Sequence, residues 1–395
     1  MNSQQAPLIL SAARTPIGRF QGTLHQTPAT LLGGVAIRAA VERAGIDPAA
    51  VDEALMGNVL SAGVGQAPAR MAALNAGLPA GVSATTVNKV CGSGLKTVML
   101  AAQAIRAGDG HLFVAGGMES MNAAPYLLPG ARFGYRLNNQ TLVDSMIHDG
   151  LWCPTEDHHM GNSAEWIARR YEVSRADQDG WALLSHQRAV AAQAAGHFDR
   201  EIVPVSAGQG KRAVTLAADE SPRADTSAEA LARLRPIFDP EGTVTAGNAS
   251  PISDGAAALV VSSADFAQAH GLAPLAKILG HAQAGVEPIA IFSAPIFAVQ
   301  RLLQKLGMQA SDFDLIEINE AFASQTLADL RALDLDPERV NVHGGAIALG
   351  HPLGASGARV LVTLIHALQQ RGGSRGLATL CLGGGEAVAL AVEML

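Results

Sequence analysis

Val87-Asn88-Lys89-Val90-Cys91-Gly92-Ser93-Gly94-Leu95-Lys96 places a cysteine on a glycine-rich turn just before a run with helical spacing. That spacing holds over 95–107, and 111–115 then reads as a strand. The same order returns near the other end of the chain. Gly354-Ala355-Ser356-Gly357 opens the counterpart, 358–370 is helical and 376–382 is strand-like. A glycine pair follows each strand, Gly116-Gly117 in one half and Gly383-Gly384 in the other. An internal duplication of about 120 residues accounts for the match. Two generic strand–helix–strand units remain the alternative on pattern alone.

Outward from these segments, strand-like runs and helical periods keep alternating. In the first half, 7–13 and 51–60 read as strands and 28–44 and 67–76 as helices. In the second, 275–280, 313–318 and 387–392 read as strands, and 295–306 and 321–330 as helices. Such alternation calls for parallel or mixed sheets covered by helices, the α/β class. The material between the halves differs. It carries Pro125, Pro129 and a polar stretch over 208–226, with helices expected over 163–172 and 176–195. An insertion of this length is usually a binding loop or lid. The expected division is 1–120 plus 250–270 for the N-terminal half, 121–249 for the insertion and 271–395 for the C-terminal half.

Composition narrows the function. Of 395 residues, 48% are hydrophobic and 16% charged, which excludes a disordered chain. The 42 glycines show no three-residue period, which excludes collagen. Net charge is −7 and aromatics are 4%, so neither a basic stripe nor a base-stacking platform is available for nucleic acid. Three cysteines, Cys91, Cys153 and Cys381, do not make a disulfide framework in a chain this long. Met1-Asn2-Ser3-Gln4-Gln5-Ala6-Pro7 lacks the positive start of a secretory signal. No uninterrupted apolar run reaches about 18 residues, so no transmembrane helix is expected. The expectation is a cytoplasmic protein.

Four segments carry the chemistry. Cys91 stands where a helix begins, and the unpaired N–H groups and positive dipole there should lower a thiol pKa from about 8.5. A buried structural cysteine is the competing reading. His343-Gly344-Gly345-Ala346-Ile347-Ala348-Leu349-Gly350-His351-Pro352 fixes His351 in extended backbone before a proline, where it can serve as a base. A core histidine or a nucleotide loop reads similarly, although the Walker lysine and a strand-borne G-x-G-x-x-G are missing. Cys381-Leu382-Gly383-Gly384-Gly385-Glu386 puts a second thiol at a strand end, with the Gly383 N–H able to face an oxyanion. In Ile318-Asn319-Glu320-Ala321-Phe322-Ala323, Asn319 either positions a water or caps the next helix.

Together with Ser11-Ala12-Ala13-Arg14-Thr15-Pro16, Gly116-Gly117-Met118-Glu119-Ser120-Met121, His159-Met160-Gly161, Leu234-Arg235-Pro236 and Gly242-Thr243-Val244-Thr245-Ala246-Gly247-Asn248-Ala249-Ser250, these segments resemble the thiolase family over nearly the whole chain. The resemblance implies a thiolase fold: two duplicated βαβαβαββ-type halves in an α-β-α-β-α layering, with an inserted loop domain. It implies reversible Claisen condensation of acyl-CoA units through an acyl-cysteine. Cys91 matches the nucleophile, His351 its activator, Cys381 the acid/base and Asn319 the holder of an oxyanion-hole water. The N–H groups of Cys91 and Gly383 match a second oxyanion hole. His159, Met160, Arg223, Ala246 and Ser250 fall where the family contacts CoA, and Leu151, Ala321 and Phe322 where it lines the acyl pocket. CoA is substrate and product, and no cofactor or metal is implied. Asp157-His158-His159 could suggest a metal, but adjacent residues project differently.

There are departures. His343 stands where many relatives carry Asn, Pro251 where Gly is common and Ser253 in place of Asn. All three should sit around the CoA site and the glycine loop. Cys153 reads as incidental. Pro129-Gly130-Ala131-Arg132-Phe133-Gly134-Tyr135-Arg136 occupies the region that joins two dimers in short-chain members, so the resemblance implies a homotetramer condensing two acetyl-CoA into acetoacetyl-CoA. A degradative enzyme for longer or substituted 3-ketoacyl-CoA is the alternative, and an inactive acyl-CoA-binding scaffold is the alternative of another class. No nucleic-acid or membrane partner is expected.

Overall fold

Residues 6–208 and 213–395 are described by the computed structural model; the extreme N-terminus (1–5) and part of the polar stretch (209–212) lie outside them. The N-terminal half runs β1 (Pro7–Arg14), α1 (Ala29–Ala44), β2 (Glu53–Gly57), α2 (Pro68–Ala76), β3 (Ser83–Val87), α3 (Ser93–Ala107) and β4 (Leu112–Ser120). After Ser120 the chain leaves the sheet and forms, among shorter pieces, α4 (Met160–Arg170) and α5 (Arg175–Ala194). It re-enters at β5 (Ser253–Ser263). The C-terminal half then runs β6 (Ala276–Gly285), α6 (Ala294–Leu306), β7 (Leu315–Ile318), α7 (Ala323–Leu333), α8 (Leu353–Arg371), β8 (Arg375–Leu382) and β9 (Glu386–Met394).

Pairing order establishes the duplication. In the first half β1 pairs antiparallel with β5, β5 antiparallel with β4, β4 parallel with β2 and β2 parallel with β3. In the second, β6 pairs antiparallel with β9, β9 antiparallel with β8 and β8 parallel with β7. A single parallel bridge, Ile316 to Val340, stands where the fifth strand would be. Order and sense agree step for step. The halves meet edge to edge through Leu8↔Lys277 and Ile9↔Ala276. Apolar clusters lie under α1 and α2 outside the first sheet, under α6 and α7 outside the second, and around α3 and α8 between them. This gives the five α-β-α-β-α layers.

β3 and β5 are not signalled by the sequence. β3 is an edge of polar Ser83, Thr85 and Thr86, and β5 is rich in alanine and serine yet buried throughout. The segment 288–306 is long and apolar enough to cross a membrane, with mean hydropathy 1.2. Here its Ile296, Ala298, Val299 and Leu302 are buried against the second sheet.

The central helices set the position of everything else. α8 starts five residues before its sequence-predicted bound, because Gly354, Ala355, Ser356 and Gly357 are helical and buried. Small residues there let α3 approach. A Cβ on Gly357 would lie 2.3 Å from the Leu95 nitrogen, and one on Gly94 would lie 2.7 Å from the Ala358 nitrogen. Backbone meets backbone at symmetric positions of the two repeats. α8 carries a row of polar contacts: buried Arg359 pairs with Glu317 of β7 (3.4 Å), buried Thr363 donates to Glu201 of the insertion (3.1 Å), and exposed Gln370 donates to the His197 carbonyl (2.6 Å). Glu201 is also held by Arg14 (2.5 Å), whose fork takes Asp219 at 2.7 and 2.9 Å.

Candidate active site

Both central helices begin beside a single cavity of about 410 Å³. Cys91 sits one residue before the N-cap of α3, on a turn that drives Val90 to φ +46°. The turn presses on the end of β8. A Cβ on Gly92 would lie 2.0 Å from Leu382 Cδ2, so any larger residue would make the Leu382 side chain shift. Cys381 and Gly383 of β8 and its turn are thereby brought to Cys91, and His351, just ahead of α8, lines the same cavity. Lys89 to Glu386 (2.6 Å) is a further cross-half tie, joining the Cys91 turn to the start of β9.

The electrostatics differ from the sequence expectation for Cys91. Burial pushes its thiol up to about 12, although the N–H groups of Gly383 and of Cys91 itself pull the other way. At this half-buried position beside the cavity, desolvation outweighs what the helix start contributes. Burial likewise raises Cys381, to which Cys91 and Asp329 add. His351 is driven down to about 3, first by burial and then by the Arg359 charge. All three shifts run towards the uncharged form.

His351 is pinned on several sides. Its backbone N–H donates to Ser253 Oγ (3.1 Å), its Nδ1 lies 2.6 Å from Ser356 Oγ, and Asn319 Nδ2 is 3.4 Å from both ring nitrogens. Asn319 is fully buried and does not line the cavity, and its Oδ1 has no partner. It is not a helix cap, since α7 starts at Ala323 with Phe322 as N-cap.

The other expected contacts, Leu151, His159, Met160, Arg223, Ala246, Ser250, Ala321 and Phe322, all line the cavity. An antiparallel bridge from Ala249 to Phe322 and a bond from the Ser250 N–H to the Ala321 carbonyl (3.0 Å) clip two of these segments together. His159 caps α4, accepting from the Gly161 N–H (3.0 Å), and stacks on Phe238 with centroids 4.7 Å apart. His158 turns away to Ser163 (2.9 Å), and among the described residues no three metal-ligating side chains cluster.

Of the departures, Pro251 lines the cavity and Ser253 reaches it only through the His351 backbone. His343 does not sit around the CoA site. It is buried against the end of the insertion, stacked on His197 at 4.8 Å and edge-on to Phe198, because the chain from Asn341 to Gly345 packs under α5. Cys153 is buried beside Thr155 (3.2 Å) in an apolar cluster that includes Cys381, and does not itself line the cavity. The sequence reading missed the apolar wall of Ile147, Ile237, Phe238, Ile291, Phe292 and Leu353. Nothing but hydrophobicity marks these residues, and core positions share it. Such a wall suits an uncharged chain ending in a small acyl group.

Residues 8–265 match the family model for the thiolase N-terminal domain, and residues 272–394 that for the thiolase C-terminal domain. The acetyl-CoA acetyltransferase of Escherichia coli strain K12 is 55% identical over 389 residues, covering 98% of this chain and 99% of the relative. The acetyl-CoA acetyltransferase of Pseudomonas aeruginosa is 53% identical over 387 residues, 98% of each. The crystal structure of the Bacillus anthracis acetyl-CoA acetyltransferase superposes with a TM-score of 0.98 at 42% identity, covering 100% of both chains.

Proposed function

The chain belongs to the thiolase family, and on that premise we infer that it condenses two acetyl-CoA molecules into acetoacetyl-CoA and free CoA, reversibly. It is an acyltransferase of the biosynthetic, short-chain type.

The residue roles rest on one observation, the convergence of Cys91, His351, Cys381 and the Gly383 N–H at one apolar cavity. In the first half-reaction Cys91 Sγ attacks the thioester carbon while its proton passes to His351. The CoA sulfur departs and takes that proton, leaving acetyl-Cys91. In the second, the thiolate form of Cys381 takes a methyl proton from the second acetyl-CoA and hands it on to His351 as the enolate carbon bonds to the acetyl carbon, so that Cys381 ends as it began. The Cys91 sulfur is released and regains a proton by way of His351. Net, a C–H and a C–S bond break, and a C–C and an S–H bond form. The N–H groups of Cys91 and Gly383 serve one developing oxyanion. A water donating to Asn319 Oδ1, which has no other partner, serves the other. The apolar wall excludes bulk water, which would hydrolyse the acyl-enzyme.

A homotetramer fits the exposed apolar loop carrying Tyr126, Leu128, Phe133, Leu137 and Leu142, with Phe133 90% exposed. Three free cysteines fit a cytoplasmic setting.

Purified protein assayed against 3-ketoacyl-CoAs of increasing length tests the reading. Thiolysis should be fastest with acetoacetyl-CoA, and preference for six carbons or more would overturn the short-chain assignment. Cys91→Ser should abolish both directions, and more than a few per cent residual activity would move the acyl group to another residue.

A further inference from the structure

Ser356 is fully buried in the first turn of α8, and its hydroxyl touches two groups: His351 Nδ1 at 2.6 Å and the Pro352 carbonyl at 2.9 Å. A hydroxyl has one proton to give. Either it donates to Pro352 and accepts from Nδ1–H, or it donates to Nδ1 and leaves the proton on Nε2. These choices make His351 two different reagents. In the first, the ring's lone pair is on Nε2, where Asn319 Nδ2 lies at 3.4 Å. In the second, the only lone pair is spent on Ser356.

The duplicated half holds a control for this choice. Ser93 occupies the matching position in Cys91-Gly92-Ser93-Gly94, as Ser356 does in Gly354-Ala355-Ser356-Gly357. Ser93 Oγ donates to the Val90 carbonyl (2.6 Å) and accepts the Lys89 N–H (2.9 Å). Its acceptor role is unambiguous, because a backbone N–H can only donate. Both serines stand at the start of a central helix and give their proton to a preceding carbonyl, Val90 three residues back and Pro352 four residues back, which leaves each oxygen free to accept.

We propose that Ser356 is a positioning residue that holds His351 as the Nδ1–H tautomer, leaving Nε2 as the base for Cys91. The proposal rests on the acyl-cysteine reading above, and it gives that reading its proton path. When Nε2 takes the Cys91 proton, the imidazolium has two N–H groups. Ser356 Oγ already accepts one of them, and the Pro352 carbonyl already holds the serine proton. No hydrogen bond has to be remade during the step. A serine turned the other way would have to rotate before the ring could accept a proton.

The wild-type protein provides the first test. Nitrogen-15 spectra of histidine-labelled enzyme, with the His351 signals identified by their loss in His351→Asn, should show a protonated Nδ1 and a bare Nε2. A proton on Nε2 overturns the proposal. The spectrum does not depend on turnover, so it stands even if acetyl-CoA proves not to be the substrate. The second test is kinetic. Ser356→Ala, folded by thermal melting, should lower kcat on the order of 10–100-fold with KM within about twofold. Ser356→Thr, which keeps the hydroxyl, should recover most of the rate. An Ala variant with wild-type kcat, or one in which only KM changes, overturns the positioning role.

Discussion

Burial holds Cys91 and His351 in their uncharged forms, one pKa driven up to about 12 and the other down to about 3. Both shifts disfavour a resting ion pair, so the proton is expected to move as the thioester is attacked. The acetylation rate should then lack the acid limb near pH 6.5 that an exposed histidine would impose. A depressed imidazole pKa keeps the ring neutral, and so base-competent, down through pH 5. Rapid-quench acetylation between pH 5 and 9 checks this, and a limb centred near 6.5 would mean that water reaches His351 freely. Cys381 separates the half-reactions. Cys381→Ala should still gain one acetyl group at Cys91, seen by mass spectrometry. It should neither make acetoacetyl-CoA nor exchange acetyl-CoA methyl protons with deuterated water, a loss of roughly 10²–10⁴-fold. Condensation near the wild-type rate would remove its role, as would failure to acetylate. The thiols, His351 and the Gly383 turn were legible because reactive residue types stood on unusual glycine-rich backbone. Their ionisation was not legible, because it depends on desolvation beside a cavity whose walls lie far apart in sequence. Ser356 escaped the sequence reading as one more small residue in a glycine run.

The packing of α3 on α8 is set by glycines, not by interlocking side chains. Gly357→Ala should cost about 1–3 kcal/mol, towards the upper end because the added Cβ would meet the Leu95 nitrogen at 2.3 Å and backbone cannot yield as a side chain does. Denaturant melts measure this. Ser93 and Ser356 lie beside the contact, so activity should fall further than stability alone explains, and an unchanged midpoint would show that the helices separate at little cost. At this scale the alternation of strands and helices was readable from apolar periodicity, and the repeat from its matching helix starts. Two strands were hidden for opposite reasons. β3 is a polar edge with Ser83 and Thr85 exposed, whereas Ala256, Ala257 and Ala258 of β5 are buried but too small to announce it. His343 misled because its place in a glycine loop pointed to the substrate, while the loop's long-range packing under α5 pointed it elsewhere.

Across the whole molecule, an exposed apolar loop sets the assembly expectation. Phe133→Asp should turn a particle of four chains into one of two by light scattering, with catalysis largely retained, since Phe133 is 90% exposed and lies outside the cavity. A mass unchanged from wild type would remove the loop's proposed role in assembly. The order of strands has a consequence in time as well as in space. In both sheets the strand made last is threaded between earlier ones: β5 between β1 and β4, and β9 between β6 and β8. Contacts such as Arg14 to Glu201 and Thr363 to Glu201 join residues 187 and 162 positions apart. A chain growing from its N-terminus thus exposes Cys91 as an ordinary open thiol for most of its synthesis, hundreds of residues before His351 and Gly383 exist to meet it. With so much of its pairing non-local, folding should be slow and should end with the zipping of β9. Nucleophile, base and oxyanion donors can meet only once Gly383 has been made, 292 residues after Cys91, so through most of synthesis the thiol stands without its partners and open to stray alkylation or oxidation.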